Sequence, residues 1–343
     1  MAGLNIGIDI GAENTTVLVA GRGIVTREPS ALLIDAATGE IIPADKARIN
    51  DLRGRLPASM KIFDLIENGA FTDMELVGRL CKGYIDRAVF GRIVKPNVAF
   101  AAPEDITSVE REALLKMLKG VGALGVCIVP SGFAAAVGAD NCLPDADGTL
   151  TVDIGRSSTK AVTISLNESV TATAVRTGAG SINESIIKYL RRVRGVMIGE
   201  NTAEIIKRRI GSAVETGVEA AWVTAGRTVS GGRAVLIELS SDEVYAAIEP
   251  DLQVISGCVK KALADAPSDI AGDILRRGAY LTGGGALLRG MAEFLSDETG
   301  VRFAVCSEPA SATARGLGQI ISTPDRYRQI KFNSTWNLKL IQN

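Results

Sequence analysis

The chain has 343 residues, of which 46% are hydrophobic and 22% are charged, and its formal net charge is −1. This composition excludes a disordered chain, the length predicts two domains with their own cores, and the charge balance gives no electrostatic case for binding nucleic acid. The sequence has no histidine, which excludes histidine metal sites and histidine-dependent catalytic triads.

The five cysteines are scattered along the sequence and form no Cys-x-x-Cys motif. Since no signal peptide is recognised at the start, we expect reduced thiols in the core of a cytoplasmic protein. The longest apolar stretch, residues 123–139, contains Pro130 and Gly132 and is therefore too interrupted to span a membrane.

The first predicted element is a β-hairpin with an acidic turn, called here the first hairpin. An apolar segment leads through Asp9 and Gly11 into a polar turn, and a second apolar segment follows up to residue 19. This pattern predicts two strands joined by a tight turn, with Asp9 at the end of the first strand.

Two helices are predicted from capping boxes. Thr72 with Glu75, and Thr107 with Glu110, have the spacing at which a hydroxyl and a carboxylate satisfy the first backbone N–H groups of a helix. We therefore expect Thr72 and Thr107 to be the N-caps of two helices.

The segment after the first of these helices, residues 89–94, is apolar and flanked by basic residues, and its pattern predicts a loop. Two interpretations remain open for it. Its apolar side chains either insert into an anionic membrane surface or pack against the rest of the protein.

Residues 150–166 repeat the design of the first hairpin and are called the second hairpin. Asp153 and Gly155 precede a turn of Arg156, Ser157 and Ser158. Glycine and small hydroxyl residues leave backbone N–H groups free for an anion, and an aspartate there can hold a hydrated cation. One copy is also typical of an ordinary hairpin, but two copies indicate a duplicated architecture that grips a nucleotide triphosphate and Mg²⁺ from both sides.

A third glycine-rich segment follows near the end of the chain. Residues 279–282 predict a strand, residues 283–285 are three consecutive glycines, and residues 286–294 predict a helix. Three glycines between a strand and a helix permit a close approach of the backbone to a flat ligand.

The two hairpins and the strand–glycine–helix segment together resemble the actin, sugar-kinase and Hsp70-type ATPase superfamily. Within it, the sequence resembles the MreB/Mbl family of rod-shape-determining bacterial actins over nearly its full length. The segments that carry this closer resemblance are residues 21–25, 28–30, 133–138, 198–207, 210–213, 281–289 and 314–316.

The resemblance implies an α/β actin-like fold of two duplicated domains. Each is an RNase H-like core with a smaller inserted subdomain, and the nucleotide cleft lies between them. Domain I comprises residues 1–145 and 314–343, with a small subdomain at about 35–65. Domain II comprises residues 146–313, with a small subdomain at about 181–240.

The resemblance also implies ATP and Mg²⁺ as ligands, with Asp9 and Asp153 holding Mg²⁺ through water. The residues implied to contact the nucleotide are Ala12, Glu13, Asn14, Gly155, Arg156 and Ser157 at the phosphates, Glu204 and Lys207 beside the ribose and adenine, and Gly284, Gly285, Ala286 and Leu287 behind the nucleotide.

Self-association is implied as well, as a homopolymer filament at the inner face of the cytoplasmic membrane that guides cell-wall synthesis proteins. A paralogue is a further candidate partner, and nucleic acid is not. Residues 89–94 fall where relatives carry a hydrophobic membrane-insertion loop, so the resemblance favours membrane contact by Val89, Phe90, Ile93 and Val94.

The chain departs from the family at residues that bear on hydrolysis. The family has Glu-Pro where this chain has Ser131 and Gly132, and that glutamate orients or activates the attacking water. A serine cannot act as a carboxylate base at neutral pH, so we expect weakened hydrolysis and assign no catalytic residue. Residues 178–180 also lack the aspartate of a family Gly-Gly-Asp.

Further departures lie in the two turns. Arg156 and Ser157 replace two glycines of the second hairpin, and Glu13 replaces a small residue of the first. Arg156 either crowds the β- and γ-phosphates or supplies a positive charge to them. We hypothesise that Glu13 and Arg156 form an ion pair across the cleft.

Two functions from different classes follow. The first is a filament protein that binds ATP and hydrolyses it slowly, which the retained Asp9, Asp153 and residues 283–285 favour. The second is a pseudo-ATPase scaffold that assembles without nucleotide turnover. A plasmid-partition or organelle-positioning actin is a more distant alternative.

Overall fold

The computed structural model describes residues 4–323, with gaps at 54–55, 68–69, 91–93, 140–147, 167 and 216–219. Up to residue 139 the described strands are β1 (Asn5–Ile10), β2 (Asn14–Val19), β3 (Gly23–Pro29), β4 (Ala31–Asp35), β5 (Ile41–Ile42), β6 (Met60–Asp64), β7 (Ile66–Glu67), β8 (Ala70–Phe71), β9 (Asn97–Ala102) and β10 (Val126–Pro130). The helices of this part are α1 (Lys46–Leu52), α2 (Met74–Val89), α3 (Ser108–Gly120) and α4 (Ser131–Gly138).

From residue 148 onward the described strands are β11 (Thr149–Ile154), β12 (Thr159–Ser165), β13 (Glu168–Val175), β14 (Val196–Met197), β15 (Ala221–Thr228), β16 (Ala234–Ser240), β17 (Ala279–Thr282) and β18 (Phe303–Val305). The helices are α5 (Ala179–Val193), α6 (Glu200–Ile210), α7 (Ser241–Asp265), α8 (Ser268–Arg277), α9 (Met291–Thr299) and α10 (Ala312–Ser322), with 3₁₀ turns at Gly284–Leu287 and Pro309–Ser311.

The two large sheets share one design. The first sheet has the order β10-β9-β1-β2-β3, and the second, read from its other edge, has the order β18-β17-β11-β12-β13. In each sheet the first strand of an acidic hairpin pairs antiparallel with its hairpin partner and parallel with a later strand. This correspondence confirms the duplicated architecture that the repeated hairpins predict.

Each sheet is covered by helices that bury an apolar core. Ile6, Ile8 and Phe100 are fully buried in the core around the first sheet, and Leu150 and Val152 in the core around the second. Strands that are buried on both faces need near-continuous apolar runs, and five of the six residues of β9 are apolar. In β1 and β11 apolar residues instead alternate with polar residues or glycine. α10 returns from the end of the described chain to pack on β1, β2 and β9.

The helices α4 and α10 cross in close contact and join the two halves, because α4 also contacts β11 and β12. A Cβ atom at Gly138 would lie 1.9 Å from the Ala312 carbonyl oxygen, and one at Gly316 would lie 1.7 Å from the Ala134 carbonyl oxygen. Glycine is therefore required at both positions, since any side chain would collide with backbone.

The N-cap prediction is confirmed for one helix and wrong for the other. Thr107 caps α3 in a complete capping box with Glu110. α2 is capped by Asp73, whose carboxylate accepts hydrogen bonds from the backbone N–H groups of Glu75 and Leu76. Thr72 instead donates its hydroxyl to the Asp64 carbonyl at 2.7 Å. An aspartate directly before the helix reaches its first N–H groups, so the threonine one residue earlier is not needed there.

Two further predictions are corrected. α2 continues to Val89, which packs half-buried on the first core, so the predicted loop 89–94 begins one residue later. The predicted helix 286–294 is instead a 3₁₀ turn, Gly284–Leu287, followed by α9 from Met291. Gly290, at a φ of +72°, separates the two because this left-handed conformation cannot continue a helix.

The predicted domain bounds stay a prediction, and residues 140–147 and 324–343 lie outside the described chain. Four cysteines are buried in the described part of the chain: Cys81, Cys127, Cys258 and Cys306. Among the described residues, every helix is too short or too polar to cross a bilayer.

Candidate functional site

A cavity of about 1150 Å³ is lined by residues from both halves of the chain. Both acidic turns open into it, since Asp9 and Gly11 of the first hairpin and Asp153 and Gly155 of the second are among its lining residues. Its volume is slightly above the range, about 300–1,000 Å³, in which small-molecule and cofactor sites usually fall.

The two turns close in the same way. The backbone N–H of Gly11 donates to the Asn14 carbonyl at 3.1 Å, and that of Gly155 donates to the Ser158 carbonyl at 2.9 Å. The two hairpins are thus alike in backbone hydrogen bonding as well as in sequence.

Three parallel strands of the first sheet bring polar groups to one edge of the cavity. Asp9 lies near the end of β1, Glu104 follows β9, and Ser131 follows β10 as the first residue of α4. The carboxyl ends of parallel strands meet at one edge of a sheet, which is where α/β folds place their ligands.

Lys160 of β12 reaches this edge from the second half. It is the cross-strand partner of Asp153, and its Nζ lies 3.9 Å from Asp153 Oδ2 and 4.0 Å from Glu104 Oε2. The same Nζ donates a hydrogen bond of 2.6 Å to Ser131 Oγ. One ammonium group therefore connects the second hairpin to two segments of the first half.

Burial and neighbouring charges shift the pKa values of this cluster. Burial, with the nearby charge of Asp153, raises the pKa of Asp9 to about 7 against the opposing effect of Lys160. Burial alone lowers the pKa of Lys160, but the carboxylates of Glu104, Asp153 and Asp9 together raise it above its ordinary value. Lys160 is thus a fixed cation, whereas Asp9 changes its protonation near neutral pH.

Arg156 lies across the cavity between two carboxylates. Its Nη1 donates to Glu13 Oε2 at 2.6 Å, and its Nη2 donates to Glu200 Oε1 at the start of α6. The hypothesised pair of Glu13 and Arg156 is therefore confirmed. The turn that holds Arg156 is fixed by α5, because the Ala179 and Gly180 N–H groups donate to the Gly155 and Arg156 carbonyls.

A second polar cluster lies on α5 and α6. Lys207 Nζ pairs with Glu204 Oε2 at 2.7 Å and donates to the Ala179 carbonyl at 2.9 Å. The amide nitrogen of Asn183 donates to the same Glu204 oxygen at 2.9 Å, while Asn183 Oδ1 is buried without a hydrogen-bond partner. Burial lowers the pKa of Lys207, whereas the ammonium of Lys207 holds the pKa of Glu204 below its usual value against the effect of burial.

The structure brings most of the sequence-predicted residues to this one cavity. The predicted residues among its lining are Asp9, Ala12, Glu13, Asn14, Asp153, Gly155, Arg156, Ser157, Glu204, Lys207, Gly284, Gly285 and Leu287. Ala286 does not line it, because the 3₁₀ turn directs this residue into the core, where it is 2% exposed.

Sequence reasoning missed Glu104, Lys160 and Glu200. A signal existed for Lys160, which is the one charged residue in the otherwise uncharged strand β12. Glu104 comes two residues after the buried strand β9, and Asp9 lies near the end of the buried strand β1. A role for Glu104 at the site can be inferred only when the pairing of β9 with β1 is known. Within the described ranges, no three or more acidic or cysteine side chains are arranged to hold a metal ion directly.

Comparison with known proteins assigns the chain to a family. The MreB/Mbl protein family model matches residues 3–329. The chain is 34% identical over 328 residues to the cell shape-determining protein MreB of Escherichia coli, covering 94% of each chain. It is 30% identical over 331 residues to the cell shape-determining protein Mbl of Bacillus subtilis, covering 96% of this chain and 99% of Mbl.

Solved structures agree with this assignment. The crystal structure of MreB5 of Spiroplasma citri bound to ADP superposes with a TM-score of 0.88 at 28% identity, covering 95% of this chain and 98% of MreB5. The MamK double helical filament, at 18% identity and a TM-score of 0.77, shares the fold over 93% of this chain and 98% of MamK. The predicted actin-like fold is confirmed, and the chain belongs to the MreB/Mbl family of cell shape-determining, actin-like proteins.

Proposed function

We propose that this chain binds ATP in the cavity between the two acidic hairpins and assembles into filaments. The observation that carries the proposal is that Asp9 and Asp153, from two copies of one hairpin, line a single cavity in a member of the MreB/Mbl family. Crystal structures of MreB5 of Spiroplasma citri bound to ADP and to AMPPNP support a nucleotide as the ligand.

The residues present fit a nucleotide. The buried acceptor Asn183 Oδ1 has no partner, and a hydroxyl or amino group of the ligand would satisfy it. Gly283, at a φ of +79°, allows the third glycine segment to approach β11 so closely that a Cβ atom there would lie 2.3 Å from the Ile154 carbonyl oxygen. This close contact brings Gly284 and Gly285 into the cavity wall.

We assign the two hairpin turns to the phosphates and the α5–α6 cluster to the ribose and base. Backbone N–H groups of a glycine-containing turn suit phosphate, and Glu204 is held ready to accept hydrogen bonds by Lys207 and Asn183. Arg156 provides a positive charge near the phosphates, although Glu13 and Glu200 already bind it. Between crowding of the phosphates and supply of charge, we adopt supply of charge for Arg156, because its side chain lines the cavity.

The same residues fit Mg²⁺ held through water. Asp9, Asp153 and Glu104 carry three carboxylates against the single ammonium of Lys160, so this edge keeps an excess of acceptors for a hydrated cation. When bound, Mg²⁺ neutralises phosphate charge. Asp9 and Asp153 are the residues that would hold its water ligands.

Hydrolysis is proposed to be slow, because Ser131 stands where the family has its water-activating glutamate. Ser131 Oγ accepts a hydrogen bond from the protonated Lys160, so the serine is further disfavoured as a base. Loss of a positioned proton acceptor typically lowers a rate by about 10²–10⁴-fold.

Filaments of this chain are proposed to lie at the inner face of the cytoplasmic membrane and to act with cell-wall synthesis proteins, either alone or with a paralogue. The relatives' description as cell shape-determining proteins supports this role. Phe90 is 88% exposed at the end of α2 and Val94 is 39% exposed, as a membrane contact requires, while Ile93 lies outside the described residues.

The test combines three measurements on the purified full chain. We expect ATP to bind in a calorimetric titration, ATP with Mg²⁺ to increase sedimentable polymer, and phosphate release to be slower than that of ordinary relatives. Asp153→Asn is expected to weaken nucleotide binding, with the exposed Asp242→Asn on α7 as control. Absence of ATP binding by the wild-type chain would refute the proposal.

A second candidate function is the scaffold that assembles without nucleotide turnover. The bridge of Arg156 to Glu13 and Glu200 favours it, since the protein's own charges span the cavity. Equal polymer yields with and without nucleotide, together with no phosphate release, would support this candidate over slow hydrolysis. The family assignment argues against a partition or organelle-positioning actin.

A further inference from the structure

We propose that Glu104 supplies the carboxylate that the chain lacks at position 131, and that it positions and deprotonates the water that attacks ATP. This inference rests on the nucleotide-binding function proposed above. It names a residue from the segment after β9, whereas the family's glutamate position, Ser131, begins α4. It also makes the slow hydrolysis depend on one side chain.

The first argument is position. Glu104 Oε1 accepts a hydrogen bond from the backbone N–H of Gly132, and Glu104 Oε2 lies 3.5 Å from Ser131 Oγ. The Glu104 carboxylate therefore lies beside the side chain of residue 131, the position at which the family carries its glutamate. Glu104 and Ser131 also line the same cavity as both acidic turns.

The second argument is the direction of the hydrogen bonds. Lys160 Nζ donates to Ser131 Oγ at 2.6 Å, so the serine hydroxyl is an acceptor in that contact and has its own hydrogen free for Glu104. Lys160 Nζ is a hydrogen-bond donor to Ser131 and lies 3.9 Å and 4.0 Å from the carboxylates of Asp153 and Glu104, so neither Lys160 nor Ser131 is placed as an acceptor for a proton from water. The proton acceptor of this trio is Glu104.

The third argument is exclusion of the other carboxylates at this edge. Asp153 receives a hydrogen bond of 3.1 Å from Thr282 and faces Lys160, and Asp9 faces the same ammonium. Both are assigned above to the hydrated cation. Glu104, with its side chain 12% exposed, is fixed by the α4 N-terminus on one oxygen and directs the other toward Ser131.

The reaction balances with this single base. The water oxygen forms a bond to the γ-phosphorus, the bond from that phosphorus to the β,γ-bridging oxygen breaks, and its electron pair leaves with ADP. One water proton passes to the Glu104 carboxylate, which afterwards releases it to solvent. Phosphate is the second product, and no oxidant or further reactant is required.

A purely structural role for Glu104 is the competing explanation, because its Oε1 also binds the first turn of α4. Glu104→Gln separates the two roles, since the amide oxygen of glutamine can still accept from the Gly132 N–H but cannot take a proton. Glu112→Gln, the same substitution at an exposed site of α3, is the matched control.

The experiment measures single-turnover phosphate release, ATP affinity and the thermal midpoint for each variant. We expect Glu104→Gln to lower the rate at least about tenfold while ATP affinity and the midpoint stay near wild type. We expect Glu112→Gln to change none of the three. The double variant Glu104→Gln/Ser131→Glu restores a carboxylate beside Lys160 and should recover most of the lost rate.

The possible outcomes distinguish failure of this inference from failure of the proposed ATP binding. A wild-type chain that binds no ATP overturns both. A wild-type chain that binds ATP, with Glu104→Gln hydrolysing at the same rate or losing rate only in step with affinity and thermal midpoint, overturns the inference alone. A double variant as slow as Glu104→Gln also counts against it.

Discussion

At the scale of single residues, the cavity combines an aspartate near its midpoint of protonation with a permanently charged lysine. Asp9 has a pKa raised from 3.8 to about 7, whereas Lys160 stays charged because three carboxylates surround it. The folded chain therefore binds a proton at Asp9 that the unfolded chain releases, and its stability depends on pH through this side chain.

The expected sign follows from the raised pKa. The stability linked to protonated Asp9 is complete below pH 3.8 and is lost as the pH rises through about 7. Asp9→Asn removes this loss, so we expect the stability of the variant relative to wild type to rise by about 3–4 kcal/mol between pH 4 and pH 8. Urea unfolding at several pH values, without nucleotide or divalent metal, measures the difference.

Asp35→Asn is the control for this measurement. Backbone N–H groups of Thr38 and Ala37 lower the pKa of Asp35, so its contribution is already complete above its unfolded pKa of 3.8. Its effect should therefore be constant from pH 5 to pH 8. The assignment of the pH effect to Asp9 fails if Asp9→Asn shows an equally constant difference.

The bridge between Glu13 and Arg156 gives a second prediction. The two side chains are 38% and 28% exposed, so we expect a coupling free energy of only about 0.5–1 kcal/mol in a double-mutant cycle of Glu13→Gln and Arg156→Gln. Thermal or urea unfolding of the four proteins provides the measurement. A coupling indistinguishable from zero would mean that the ion pair does not contribute to the stability of the folded chain.

At the scale of elements, the crossing of α4 and α10 is the most exacting contact. Gly316→Ala places a Cβ atom against the Ala134 carbonyl, and we expect a destabilisation of about 2–5 kcal/mol because the backbones must separate. Gly257→Ala on α7 meets nothing within 4 Å and should stabilise by about 0.5–1 kcal/mol. Chemical denaturation measures the free energy of unfolding of both variants. A Gly316→Ala variant as stable as wild type would contradict the close crossing of α4 and α10.

The hairpins could be predicted from sequence because each is built from neighbouring residues whose alternation and turn chemistry act locally. The same holds for the α3 capping box at Thr107. The prediction that Thr72 is an N-cap was wrong because Asp73, which caps helices better than threonine, lies one residue closer to α2. The 3₁₀ turn after β17 was missed because the glycine count indicates a close approach but not the helical pitch that follows.

The cluster of Lys160, Glu104 and Ser131 could not be predicted, because its members lie on β12, after β9 and at the start of α4, which only the packing of the two halves brings together. The sequence shows the family glutamate missing at position 131, but the carboxylate beside that position comes from residue 104. Likewise, Glu200 joins Arg156 only because the start of α6 faces the second hairpin. Such contacts depend on tertiary packing and leave no local pattern.

At the scale of the whole molecule, a substitution of the exposed Phe90 can test the proposed membrane contact. It is 88% exposed, so Phe90→Ser should leave the thermal midpoint nearly unchanged while lowering co-sedimentation with vesicles that contain anionic lipid. Leu124→Ser, at a residue that is 62% exposed between α3 and β10, is the control and should bind vesicles like wild type. Equal losses for both variants would argue against a specific membrane site.

The bridge of Arg156 also has a consequence for the surroundings in which the protein works. A guanidinium shared between Glu13 in one half and Glu200 in the other is a partly solvated electrostatic link, and dissolved ions screen such links over about 8–10 Å at physiological strength. The free energy of this link between the two halves is therefore expected to fall as the salt concentration rises.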